Sequence, residues 1–65
     1  MANEALDDAL AVMREAQEEL AESITAQRDP PLPFLDRVEL IALNAAELSI
    51  ATADVVQLLA ETRAA

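Results

Sequence analysis

The stretch "RDPPLPFLDR", residues 28–37, decides how the chain is read. It holds all three prolines of a 65-residue sequence that contains no glycine. Proline has no backbone donor to continue a helix, and it pushes the residue before it toward extended geometry. Asp29, Pro30 and Leu32 are therefore all disfavoured as helix interior. On both sides of this stretch the chain is built chiefly from strong helix formers, Ala, Leu, Glu and Gln. The expectation is an all-α chain of two helices, the first over about 3–28 and the second over about 33–63. A Pro-rich turn over about 29–33 joins them, and Pro30, Pro31 and Pro33 stiffen a corner that glycine would leave loose. Pro33 suits the first helical position because its φ is already set. A connection of about five residues is the usual length between antiparallel neighbours. Residues 1–65 thus read as a single antiparallel hairpin domain. The competing layout is one bent helix or an open L, with the second helix reaching into another chain.

Upstream of the turn, Leu6, Leu10, Met13, Leu20 and Ile24 recur at alternating four-three spacing, which places them on one stripe of a helix that packs against another helix. Gln17 fills the gap in that stripe. Asn3 is placed to cap the first turn, and Glu4, Asp7 and Asp8 complement the positive end of the helix dipole. Glu4, Asp8, Glu15, Glu19 and Glu22 gather on the opposite side. Glu15–Glu19 and Glu18–Glu22 repel at i,i+4, whereas Arg14–Glu18 attracts. The plain reading of this acidic side is a solvated face, and its functional alternative is a surface for a basic partner.

Downstream, Phe34, Val38, Ile41, Leu48, Val55 and Leu59 form a matching stripe, with Ala45 and Thr52 between them. These residues are expected to pack on Leu6, Leu10, Met13, Leu20 and Ile24 as the hairpin core. At about 100° per residue, Leu40, Leu43, Ile50, Ala51 and Leu58 fall on the far side, among Asp36, Glu47, Asp54 and Glu61. One neighbouring helix covers one stripe. Burying a Leu or Ile contributes about 1.5–3 kcal/mol, so a second apolar side is a large reserve of stabilisation for a chain this short. Leu40, Leu43, Ile50 and Leu58 are accordingly expected to form an interface, through which the hairpin is completed as a bundle by oligomerisation or by docking to a partner, a two-fold four-helix dimer being simplest.

Chemistry is expected to be missing. The sequence has no Cys, His, Lys, Trp or Tyr, which removes thiolate and imidazole metal ligands and most general bases and nucleophiles. Phosphate-cradling loops need glycine. No catalytic residue, cofactor or metal site is therefore assigned. Thirteen carboxylates against four Arg give a net charge of −9, which disfavours direct binding to nucleic acid or anionic membrane. The apolar region from Leu40 to Ala60 is interrupted by Asn44, Glu47 and Asp54, so no membrane span is expected, and the acidic start is unlike a secretory signal. A cytoplasmic location follows as the expectation. The composition points to a small acidic, non-enzymatic interaction or assembly protein working through its second helix. A regulator or secretion-type chaperone holding a client helix in an apolar groove is the alternative. An acidic decoy of a nucleic-acid-binding protein is a weaker one.

Overall fold

Two helices pack against each other in the computed structural model, which describes residues 3–64: α1 (Glu4–Thr25) and α2 (Phe34–Ala64). The chain is all-helical and forms a hairpin. Direct links between the two helices run from Arg37 to Ile24 and from Asn44 to Glu19, so residue number rises on one helix as it falls on the other. The 31 residues of α2 correspond to about 46 Å at the helical rise. They set the long axis of a rod measuring 51 × 16 × 11 Å.

The connection is longer than the spacing of the prolines suggests. It runs over residues 26–33, because α1 ends at Thr25 instead of near Gln27 or Arg28. Ala26 leaves the helix in extended geometry (φ −63°, ψ 133°), with its N–H donating to the Glu22 carbonyl at 2.7 Å. No basic residue lies in the last turn of α1. Arg28 lies three residues beyond the end of that helix, in the connection. Arg37 reaches that end from the other helix, its guanidinium donating to the Ile24 carbonyl at 2.7 Å. A cation thus meets the negative end of the α1 dipole across the corner. Pro30, Pro31 and Pro33 all lie in the irregular connection, and the Asp29–Pro30 peptide bond is cis. The Pro33 carbonyl accepts the Arg37 N–H at 3.0 Å, so Pro33 precedes α2 and Phe34 begins it.

At the other end, Asn3 does not cap with its side chain. Its backbone is already helical (φ −90°, ψ −9°), a geometry unlike the extended one that a capping side chain uses, and its carbonyl accepts the Asp7 N–H at 2.9 Å. Glu4 and Asp7 stand in the first turn of α1, Asp36 in the first turn of α2 and Arg63 in its last, each on the side of the dipole that suits its charge.

The seam between the helices is narrower and made of smaller residues than the stripes of large apolar residues suggest. On α1 the residues turned inward are Leu6, Ala9, Met13, Ala16, Leu20 and Ser23; on α2 they are Leu40, Ile41, Asn44, Leu48, Ala51, Val55 and Leu58. Among the described residues only Ala16 and Ala51 are buried, at 8% and 7% exposure. Three of the five expected residues stay in the seam on α1, Leu6, Met13 and Leu20, and three of the six on α2, Ile41, Leu48 and Val55. Both helices replace the residue four positions on with the residue three positions on, a rotation of about 50° at helical spacing. Leu10 and Ile24 give way to Ala9 and Ser23, and Val38 and Leu59 lie outside on α2. The physical reason is size. Ala9, Ala16, Ser23 and Ala51 let the two backbones approach, and the larger aliphatics then stand at the edges of the seam. Phe34 departs furthest from its expected core position, at 76% exposure, because it begins α2 beyond the end of α1.

Candidate functional site

With the seam assigned, the hairpin has two flanks of opposite character. One is a groove of about 310 Å³ lined by Val12, Glu15, Ala16 and Glu19 from α1 and by Glu47, Ile50, Ala51 and Asp54 from α2. Buried Ala16 and Ala51 make its floor, and Val12 and Ile50, more than half exposed, stand on either side. Four carboxylates rim it and no basic side chain lines it. A second hollow continues toward the corner between Glu19, Glu22, Ser23, Leu40 and Asn44, and Arg28 closes it.

The other flank carries the large residues that the seam left out. On α1 these are Leu10, Gln17 and Ile24, each four positions after a seam residue and each exposed. On α2 the corresponding row is Val38, Ala45, Thr52 and Leu59, and beside it run Leu35, Ala42, Ser49 and Val56. All of these are exposed. Taken together, the α2 residues recur at alternating three-four spacing from Leu35 to Leu59 without one charge among them. That is the pattern of a second helix-packing stripe on the same helix. Its hydroxyl at Thr52 donates to the Leu48 carbonyl at 2.8 Å, so this polar group already has a partner on its own helix.

The four residues expected at the outer interface do not share one surface. Leu43 and Ile50 are exposed, but on the acidic side of α2, where Ile50 forms one wall of the groove. Leu40 and Leu58 are half-buried against α1. The separation has a simple cause: the rotation that brought Ala51 to the seam drew Leu40 and Leu58 in with it and left Leu43 and Ile50 outside. Gln17 and Thr52, polar members of the expected stripes, are both exposed, while the polar residues that do sit in the seam are Ser23 and Asn44. The Ser23 hydroxyl donates to Leu20 carbonyl at 2.7 Å, and the Asn44 amide reaches the Glu19 carbonyl at 3.5 Å, the outer limit of a hydrogen bond.

Among the described residues no group of His, Cys, Asp or Glu is arranged to hold a metal ion, and no helix is long and apolar enough to cross a membrane. The chain matches no protein-family model, no curated protein and no solved structure.

Proposed function

We propose that this protein is a non-enzymatic assembly element: a helical hairpin that pairs with a second copy through the flank bearing the charge-free stripe of α2 to complete a four-helix bundle. The observation that carries this reading is the charge-free stripe of α2 from Leu35 to Leu59, exposed along its whole length and joined on the same flank by Leu10 and Ile24 of α1. A helix that touches one neighbour needs a narrow seam. A helix in a four-helix bundle touches two, and its apolar stripe widens to a third position in each heptad. Both helices of this hairpin have that wider stripe, and the hairpin itself uses two thirds of it.

The exposed area argues the same way. A compact folded chain of this mass exposes about 4,000 Å², whereas the hairpin exposes 5199 Å². The difference, about 1,200 Å², exceeds the ~800 Å² that each partner contributes to an ordinary stable interface. The radius of gyration is 15.2 Å, against about 11 Å for a compact chain of this length. With no large side chain fully buried and no cysteine to cross-link it, the hairpin has little core of its own, and association is the remaining source of stability. The Pro-rich corner serves the same purpose by restricting how far the two arms can splay before the partner arrives.

Because the sequence has no cysteine, a single introduced thiol reports on one position. Thr52→Cys lies at the middle of the proposed interface, and Ala53→Cys lies next to it on the outward side. The reading expects the thiol at 52 to react with a maleimide much more slowly than the thiol at 53, and the difference to vanish on dilution. Equal rates at all concentrations would reject a covered flank.

A further inference from the structure

We infer that the acid-rimmed groove on the opposite flank is a docking site for a basic amphipathic helix of another protein. The inference is independent of the bundle, since the two surfaces lie on opposite sides of the seam. Each wall carries one aliphatic residue and two carboxylates at three-four helical spacing. On α1 these are Val12, Glu15 and Glu19, and on α2 they are Glu47, Ile50 and Asp54. Each wall therefore offers one aliphatic contact and two carboxylates, above a floor of two alanines too small to fill the space between them.

The occupant follows from complementarity. A second copy of this chain would bring a net charge of −9 against the same carboxylates, and like charges brought together disfavour that contact. A free cation or a polyamine would satisfy the rim and leave Val12 and Ile50 in water. A helix with one apolar row and Lys or Arg at i±3 and i±4 on both sides satisfies both. Its apolar row lies over Ala16 and Ala51 between Val12 and Ile50, and its cations reach Glu15 and Glu19 on one wall and Glu47 and Asp54 on the other. Arg28, at the corner end of the adjoining hollow, repels basic residues there. The basic segment consequently sits toward the middle of the rod.

The test uses the full chain and a fluorescein-labelled peptide of about 18 residues, five helical turns, with Leu in one helical row and Lys and Arg on either side of it. Fluorescence anisotropy is measured for the unmodified chain, for Glu15→Gln with Glu19→Gln and Glu47→Gln, and for Glu4→Gln with Glu18→Gln and Glu39→Gln. The two triple variants lose the same charge, and Gln is as good a helix former as Glu. Circular dichroism checks that both keep their helix. The groove triple is expected to weaken binding roughly tenfold, since each exposed ion pair contributes only a modest part. The control triple is expected to change it much less. Equal weakening by both variants would overturn the inference, because attraction would then come from net charge alone. So would equal binding of a peptide with the same composition in scrambled order, or no measurable binding at low salt. A change in the molar mass of the groove triple would also overturn it, by showing that a second copy occupies the groove.

Discussion

Ala16 and Ala51 are the two buried side chains among the described residues, one from each helix, and together they form the floor of a single groove. Neither contributes much apolar area. What they permit is close approach of the helices, and that approach decides which larger side chains are left outside. Leu10, Ile24, Val38 and Leu59 are exposed, and beside them the seam takes in the small residues Ala9, Ala16, Ser23 and Ala51.

Enlarging the floor tests this directly. Ala16→Leu or Ala51→Leu adds methylenes at the closest point of the seam and is expected to destabilise by about 1–3 kcal/mol, the usual cost of overpacking. Thermal melts at fixed protein concentration measure it. The same change at Ala46 or Ala53, both exposed on α2, should leave the melting temperature nearly unchanged.

The flank bearing the charge-free stripe of α2 and the acidic flank respond differently to the same chemistry. Val38→Glu with Val56→Glu places two carboxylates in the proposed interface, and light scattering should then report a single-chain mass. Leu43→Glu with Ile50→Glu adds the same charge to the acidic side and should leave the mass as it was. The reverse pattern would return the interface to Leu43 and Ile50.

Arg37 ties the start of α2 to the end of α1 through the Ile24 carbonyl. Arg37→Ala should therefore loosen the last turn of α1 at a cost of about 0.5–1 kcal/mol, in the range of an exposed hydrogen bond. Amide hydrogen exchange should speed up at Ala26, whose N–H bonds to the Glu22 carbonyl. Arg63→Ala, in the last turn of α2, should not alter exchange there.

The two helices and their packing against each other as a hairpin were legible from composition and spacing. The rotation of the helices was not. Large aliphatics dominate any reading by hydrophobicity, so Leu10, Ile24, Val38 and Leu59 drew the seam about 50° away from where the small residues put it. The signal that points to the true seam is Ala9, Ala16 and Ser23, small residues recurring every seven positions beside Leu6, Met13 and Leu20. A mixed row of large and small residues fits two closely packed helices better than a row of large ones does. Phe34 was misplaced for another reason: α1 ends at Thr25, and local spacing does not say where the neighbouring helix stops.

The central claim is that the flank running from Leu35 to Leu59 is covered by a second copy in solution. Sedimentation equilibrium of the unmodified chain over a dilution series tests it most directly. The account predicts a mass of twice 7.0 kDa at high concentration, falling on dilution, with a melting temperature that falls in step because folding is linked to association. A mass of 7.0 kDa and an unchanged melting temperature at every concentration would contradict it.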